Sequence, residues 1–301
     1  MTTPAQHQAL IVVGVDGSAA SIVALRHAKY LAEKQDAQLK AVSVWTTPIA
    51  YTPFVLAWSP GEYAESQLVE ASHTVFGPDL PGWYERRVIE GSAARDLVKE
   101  SRSADLLIVG SRGHGGFAGL VLGSVSAQCA AHAHCPVMII RDSHTVADDQ
   151  GDAPIIVGHD GSQNADDALE WALTTAEILS SPVTVVRTWN FDRIPPQFSE
   201  EFGYVSSFEE VTGRVQRDLI AETLDQISTH PTVEVSLVAS LAQPAEALIT
   251  ASTGARMTVV GSRGHGGFAG LVLGSVSAEC AAHAHSPVVI VPRRDSANPT
   301  P

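Results

Sequence analysis

The chain of 301 residues is 45% hydrophobic and 17% charged, with a formal net charge of −14. This composition supplies enough apolar side chains for folded cores and excludes an intrinsically disordered chain. The negative charge argues against nucleic acid as a partner, because affinity for duplexes comes largely from Lys and Arg at the phosphates. The first apolar run, Leu10–Val15, is too short for a signal sequence or a membrane span, which favours a cytoplasmic protein that does not bind membranes.

The first half of the chain alternates between apolar runs and segments of helical periodicity. Leu10–Val15 is apolar throughout, which is typical of a strand buried on both faces of a parallel sheet. Asp16 and Gly17 follow it, and Ser18 is placed to cap a helix over Ala19–Lys34. The other predicted elements are the strands Leu39–Trp45, Trp83–Ile89, Asp105–Val109 and Val137–Ile140, the helices Glu62–Phe76, Ser92–Arg102 and Ser124–His134, and a loop over Thr46–Pro60.

The second half of the chain is a copy of the first. Gly261–Val288 matches Gly110–Val137 at 26 of 28 positions. Upstream, Ile155–Ser162 (IIVGHDGS) echoes Ile11–Ser18 (IVVGVDGS). The sequence is therefore a tandem duplication. Its second copy has predicted strands at Ile155–Val157, Val183–Thr188, Val233–Val238, Met257–Val260 and Val288–Val291.

The alternation of strands and helices predicts the α/β class in both copies. Parallel neighbours need helical crossovers, so each copy is expected to form a doubly wound, Rossmann-like, five-stranded parallel sheet. Between the copies, Asp142–Ala153 is acidic and lacks an apolar run, which indicates a linker. We therefore predict two tandem domains, residues 1–147 and 148–301, each of ordinary domain size.

A glycine-rich segment follows the fourth strand of each copy. It runs as Gly110-x2-Gly113-x9-Gly123-Ser124 and returns with the same spacing in the second copy. Ligands of open α/β sheets bind at the carboxyl ends of the strands, where this segment meets the turn at Asp16. Glycine lets backbone N–H groups approach a ligand, and the helix start that follows favours an anion. We predict a phosphate site built largely from backbone, although GxxxxGK[ST] and a GxGxxG after strand 1 are both missing.

These motifs resemble one known family. The G-x2-G-x9-G-[ST] spacing, the VDGS end of the first strand and the HCPV/HSPV run before the last strand are similar to the universal stress protein family, in particular to its tandem-domain, ATP-binding members. The resemblance covers nearly the whole chain. It implies a strand order of 3-2-1-4-5, with ATP, with or without Mg, across the carboxyl edge of the sheet.

The resemblance also implies which residues contact the nucleotide. Asp16 and Asp160 would lie against the ribose or the adenine, the backbone at Val44 and Thr188 would bond the adenine, and the glycine-rich segments would hold the phosphates. The binding residues expected on these grounds are Gly14, Asp16, Val44, Gly110, Arg112, Gly113, Gly123, Ser124, Val125 and Ser126 in the first copy, and Gly158, Asp160, Thr188, Gly261, Arg263, Gly264, Gly274, Ser275, Val276 and Ser277 in the second.

The implied function is an ATP-binding sensor or regulator of the stress response, with the two copies packed as an internal pseudo-dimer. Association of two whole chains into a homodimer stays open. The alternative is an enzyme of a related adenine-binding fold that hydrolyses ATP or transfers an adenylyl group, and a third reading is an interaction module whose site is unused. Gly110–Arg141 contains no Asp or Glu to support Mg²⁺, so we expect little or no hydrolysis.

Two structural alternatives remain open at the site. In the first, Asp16 caps its helix or closes a turn and does not bind a ligand. In the second, the glycines serve tight packing alone. The copies differ where Val15 becomes His159 and Val44 becomes Thr188, so the adenine sides are expected to differ and the phosphate sides to agree. Three cysteines without a CxxC pair predict buried thiols rather than disulfides or a zinc site.

Overall fold

The computed structural model describes residues 8–47, 59–113, 122–144, 152–190, 207–265 and 273–293. The chain divides into two compact units, Met1–Asp148 and Asp149–Pro301, one for each copy. The predicted boundary after residue 147 falls outside the described residues and stays a prediction.

The first unit is a parallel sheet with helical crossovers. Its strands are β1 (Leu10–Gly14), β2 (Gln38–Trp45), β3 (Tyr84–Glu90), β4 (Leu106–Gly110) and β5 (Val137–Ile140), and its helices are α1 (Ala19–Gln35), α2 (Pro60–Phe76), α3 (Ala93–Glu100) and α4 (Ser124–His132). Every pairing among these strands is parallel, in the order β3-β2-β1-β4-β5. The predicted fold and strand order are confirmed.

The second unit repeats this arrangement. Its strands are β6 (Ile155–Gly158), β7 (Val183–Trp189), β8 (Val235–Leu241), β9 (Met257–Gly261) and β10 (Val288–Val291), and its helices are α5 (Gln163–Leu179), α6 (Phe208–Ser228), α7 (Pro244–Ala251) and α8 (Ser275–His283). Its strands pair in parallel as β8-β7-β6-β9-β10. The duplication thus extends from sequence to topology.

The first strand of each copy lies at the centre of its sheet, and the apolar pattern explains why. Ile11, Val12 and Val13 are fully buried because β1 has β2 on one edge, β4 on the other and α1 packed against it. The chain then turns into α1, where Ser18 acts as the predicted cap and accepts the Ser21 N–H at 3.3 Å. This turn carries Asp16 to the carboxyl edge of the sheet.

Several predicted bounds are wrong by a few residues. The helix predicted over Ser124–His134 ends at His132, because Ala133 is already extended with ψ 152°. The strand predicted over Val233–Val238 is displaced toward the carboxyl end, since Val183 pairs with Val235 and the ladder continues to Leu241. Most of the predicted loop after Thr46 lies outside the described residues.

The three cysteines are free and buried, as predicted. Burial raises the pKa of Cys129, Cys135 and Cys280 to about 12, so these thiols stay protonated near neutral pH. Among the described residues, no group of three or more His, Cys, Asp or Glu side chains could hold a metal ion. None of the described helices has the length and apolarity needed to cross a membrane.

Candidate functional site

A cavity of about 460 Å³ opens at the carboxyl ends of β6, β7 and β9 in the second unit. It is lined by the ends of these strands, the start of α8, the first turn after β6 and, from α7, by Pro244 and Leu248. All ten binding residues predicted for the second copy are among the lining: Gly158, Asp160, Thr188, Gly261, Arg263, Gly264, Gly274, Ser275, Val276 and Ser277. The fold therefore brings together residues that are up to 119 positions apart in the sequence, from 158 to 277.

The strand carrying Thr188 leaves part of its backbone edge open to this cavity. β6 ends at Gly158, whereas β7 continues to Trp189. The His159 N–H donates to the Val186 carbonyl oxygen at 3.0 Å, so the backbone groups of Val186 face β6. Because the peptide groups of a strand alternate in direction, those of Thr188 face the same side beyond the end of β6.

The first copy has the same strand geometry. The Val15 N–H donates to the Val42 carbonyl oxygen at 2.9 Å, and β1 ends one residue earlier, at Gly14. The backbone of Val44 therefore faces the side from which β1 has already departed. In both copies the open edge is suited to the pattern of donor and acceptor on the rim of a purine base.

Asp160 joins the turn after β6 to the glycine-rich segment. Its Oδ1 accepts the Ser162 N–H at 3.1 Å, and its Oδ2 accepts the His265 N–H at 2.8 Å. Burial disfavours the carboxylate, but the hydrogen bonds from Ser162 and His265 outweigh that effect and hold the pKa of Asp160 below its usual value. Asp160 thus braces the site, and it also lines the cavity.

Asp16 occupies the corresponding place in the first copy. Its Oδ1 accepts from the Ser18 N–H at 3.1 Å and from the Ser18 hydroxyl at 2.6 Å. The Ser18 hydroxyl also lies 3.4 Å from the Arg112 carbonyl oxygen. The turn-closing role that the sequence left open is therefore present, and it places this carboxylate beside the glycine-rich segment.

At three positions of each glycine-rich segment there is no room for a side chain, and each glycine has a different neighbour. A Cβ on Gly261 would come within 2.9 Å of Asn164, and one on Gly274 would lie 3.2 Å from the Ser262 carbonyl oxygen. A Cβ on Gly264 would collide with the carboxylate of Asp160. All three are contacts within the protein: the first is with α5, the second with the backbone at Ser262, and the third with the turn after β6.

The first copy shows the same pattern. A Cβ on Gly110 would lie 3.1 Å from Ala20, and one on Gly123 would lie 3.1 Å from the Ser111 carbonyl oxygen. A Cβ on Gly113 would collide with the carboxylate of Asp16. Tight packing is therefore present at all three glycines of each segment, and at the third glycine the neighbour is the aspartate of the site.

The amino terminus of α8 faces the cavity through its backbone. Gly274 is the N-cap and has no side chain, so no cap hydrogen bond is made to the first N–H groups of the helix. Ser275, Val276 and Ser277 line the cavity, where these N–H groups and the helix dipole favour an anion. The Ser277 hydroxyl donates to the Gly261 carbonyl oxygen at 2.7 Å, so its proton is engaged within the protein.

The equivalent helix start in the first copy is built alike. Gly123 is the N-cap of α4, again without a side-chain cap, and Ser124 and Val125 follow in the first turn. The Ser126 hydroxyl lies 2.9 Å from the carbonyl oxygens of Ser111 and Gly123. The hydroxyls of Ser126 and its equivalent Ser277 are thus engaged within the protein, which leaves the backbone N–H as the donor that each of these residues can offer an anion.

Comparison with known proteins identifies the family of both copies. The universal stress protein family matches residues 10–141 and 153–292. The chain belongs to the universal stress protein family. A universal stress protein of Mycobacterium tuberculosis is 31% identical over 290 residues, covering 93% of this chain and 95% of the relative. One from Mycolicibacterium smegmatis is 32% identical over 297 residues, covering 93% and 96%.

A solved universal stress protein from Archaeoglobus fulgidus has the same fold. It superposes with a TM-score of 0.66 at 20% identity, covering 94% of this chain and 98% of its own. At 20% identity this similarity shows the fold alone. The family match, with one region in each copy, makes both copies universal stress protein domains.

The glycine that ends the first strand has a packing role in this member of the family. A Cβ on Gly14 would lie 3.0 Å from Leu97, and one on Gly158 would lie 2.8 Å from Leu248. Both glycines were predicted to bind the ligand. Their absent side chains make room for a leucine of the helix below the site, and Gly158 also reaches the cavity with its backbone.

The second copy also holds buried polar residues that sequence reasoning missed. Arg187 is 9% exposed, and its guanidinium contacts the His159 ring and the Glu222 carboxylate. Asn164 is 3% exposed and bonds the start of the glycine-rich segment. A signal was present, because Arg187 is the one charged residue in the strand VTVVRTW, whose other residues are apolar or threonine.

Proposed function

We propose that this universal stress protein binds ATP, one molecule in each copy, and acts as a regulator in the stress response. The observation that supports this most strongly is that all ten residues predicted for the second copy line one cavity of about 460 Å³. That volume lies within the range of small-molecule sites, about 300 to 1,000 Å³. The proposed pose sets adenine against the open edge at Thr188 and the phosphates against the start of α8.

The electrostatics of the cavity support a nucleotide with an extended phosphate chain. The uncapped N–H groups at Ser275 and Val276 and the side chain of Arg263 supply positive potential. Among the described residues that line the cavity, Asp160 is the one carboxylate, and its two oxygens already accept backbone N–H groups. Most of the phosphate charge would therefore be met by backbone dipoles, as expected for a chain of net charge −14.

The same arrangement supports binding without rapid hydrolysis. Phosphoryl transfer needs an oriented water and a metal held by carboxylates near the transferring group. Asp160 is engaged in bracing the turn. We expect turnover below about one per minute, against about 10 per second for a typical enzyme. A single-turnover assay with labelled ATP and Mg²⁺ measures it, and sustained turnover near one per second would favour the enzyme alternative.

Binding itself is tested by counting and identifying the nucleotide. Mass spectrometry of the supernatant from denatured protein should find ATP, and equilibrium dialysis should give two sites per chain. AMP, cyclic AMP and GTP serve as competitors that distinguish ATP from other nucleotides. The double variant Gly113→Ala/Gly264→Ala should lose both sites, because each new methyl group collides with an aspartate carboxylate. Two undiminished sites in that variant would contradict the proposal.

The remaining parts of the proposal concern setting and assembly. We infer a cytoplasmic protein, which suits three free cysteines, since thiols stay reduced in that compartment. Packing of the two copies as an internal pseudo-dimer, and association of whole chains, stay predictions. Sedimentation velocity of the full chain with and without ATP measures the association of whole chains.

A further inference from the structure

The two sites share their glycines but differ in what lies beneath them. In the second copy Asn164, from the first turn of α5, accepts the Arg263 N–H at 3.0 Å and the Ser262 hydroxyl at 3.2 Å on its Oδ1. Its Nδ2 donates to the Val291 carbonyl oxygen at 3.1 Å. One buried amide therefore ties the start of the glycine-rich segment to α5 and β10.

A second group of buried polar side chains holds the turn after β6. Arg187 donates from Nε to the His159 carbonyl oxygen at 3.2 Å and from a terminal nitrogen to His159 Nδ1 at 2.7 Å. The same guanidinium lies 2.5 Å from Glu222 Oε2 on α6. This turn carries Asp160, so the network fixes the second binding segment as well.

The contacts of His159 define its protonation state. Nδ1 faces two donors, Arg187 and the Gly161 N–H, so it accepts, and Nε2 carries the proton toward Asp166 Oδ1 at 3.0 Å. Burial lowers the pKa of His159, the neighbouring Arg187 lowers it further, and Asp166 and Glu222 oppose the shift. A second ring proton would point at the Arg187 guanidinium.

The first copy has none of these side chains at the corresponding positions. Asn164 is replaced by Ala20, His159 by Val15, Asp166 by Ile22 and Arg187 by Ser43. In its turn the hydroxyl of the buried Ser21 accepts the Asp16 N–H at 3.4 Å, and the Ser18 hydroxyl donates to Asp16 Oδ1 at 2.6 Å. The phosphate sides, predicted to agree, therefore differ in the hydrogen bonds that hold them.

We propose that the second site binds ATP about tenfold more tightly than the first, because Asn164, His159 and Arg187 hold its two binding segments in place before ATP arrives. Ordering that is already present in the free protein does not have to be supplied on binding. Tenfold corresponds to about 1.4 kcal/mol, the size of one or two net hydrogen bonds. The inference rests on the proposed function, and it makes these three residues positioning residues of the second site.

The affinities of the two sites are separated with single-site proteins. Gly113→Ala leaves the second site, and Gly264→Ala leaves the first. Titration of each full-length protein with labelled ATP should give about tenfold tighter binding in Gly113→Ala. Adding Asn164→Ala to Gly113→Ala should remove most of that advantage. Thr175→Ala, a buried truncation about three turns along the same face of α5, is the matched control and should leave the affinity unchanged.

Equal affinities, or a tighter first site, would overturn this inference while leaving the proposed function intact. So would Asn164→Ala protein that binds as well as its parent. ATP binding by neither single-site protein would instead refute the proposed function. Thermal unfolding of every variant separates a lost contact from a lost fold, and His159→Val tests the same inference if Asn164→Ala does not fold.

A pH profile supplies a readout that a purely structural role would not move. Acid adds a proton to His159 against Arg187, so the ratio of second-site to first-site affinity should fall toward one as the pH falls through the pKa of His159 in the folded protein, which burial holds below its usual value. The ratio cancels the titration of the ATP phosphates, which is common to both sites. In His159→Val protein the ratio should be independent of pH. A constant ratio in the parent protein would overturn the inference.

Discussion

Replacement of Asp160 by asparagine is the sharpest perturbation that the site offers. The two carboxylate oxygens accept from two different backbone donors, the Ser162 N–H at 3.1 Å and the His265 N–H at 2.8 Å. Asparagine keeps the size of the side chain but has one acceptor oxygen and one NH₂ group. In either orientation of the amide, one backbone N–H would face a donor. Asp160→Asn should therefore behave like a deletion rather than a conservative change.

The magnitude follows from the bond that is lost. A hydrogen bond to an ionised group contributes about 1.5 to 3 kcal/mol, and if ATP has to restore the order that this bond supplies in the free protein, its loss corresponds to roughly tenfold to 150-fold in affinity. We expect a loss of that size for ATP at the second site when Asp160→Asn is measured by equilibrium dialysis in the Gly113→Ala background. Asp218→Asn removes the same charge from the exposed surface of α6 and serves as the matched control.

Two results would refute this reasoning. If Asp160→Asn binds ATP within about twofold of its parent, the carboxylate does not hold the glycine-rich segment for binding. If the variant instead unfolds much more easily in urea while ATP affinity survives, Asp160 is a structural cap and not part of the site. The lowered pKa adds a check on sign: the stabilising effect of this carboxylate is full above its unfolded pKa near 3.9 and is lost as the pH falls through the folded value.

Three further outcomes follow from the packing and ionisation of other residues. Leu248→Ala should lower the free energy of unfolding in urea by about 2 to 5 kcal/mol, because Leu248 is buried against Gly158. Leu241→Ala, at an exposed position, should lower it far less, and similar losses for the two variants would contradict this prediction. The three cysteines should not react with a thiol reagent at pH 8 until the protein is unfolded, and fast labelling of native protein would show that the burial is wrong. His159 has a lowered pKa, so its neutral form stabilises the fold fully above pH 6.5, and this contribution declines as the pH falls below that value. His159→Val should therefore flatten the acid limb of a curve of stability against pH. An unchanged acid limb would argue against this role of His159.

Much of the candidate site was within reach of the sequence, for a reason that single residues illustrate. Asp160 and Gly264 lie more than 100 positions apart, yet both follow strands that run in parallel, and parallel strands bring their carboxyl ends to one edge. The packing roles of Gly158 and Gly261 could not be predicted from the sequence. A glycine next to a ligand and a glycine beneath a leucine or an asparagine look alike in a sequence, and only the neighbouring helix distinguishes them.

The amino-acid sequence by itself determined the duplication, the α/β class, the strand order implied by the family resemblance and the segments that form the site. Periodicity, turn chemistry and motif spacing are local, and the parallel fold converts them into positions with few alternatives. Only the tertiary structure decided how the two sites differ. Asn164 and Arg187 act on segments that reach them through space, and their roles depend on burial, donor direction and the state of a histidine ring. Those properties arise from packing between elements, so no stretch of sequence contains them.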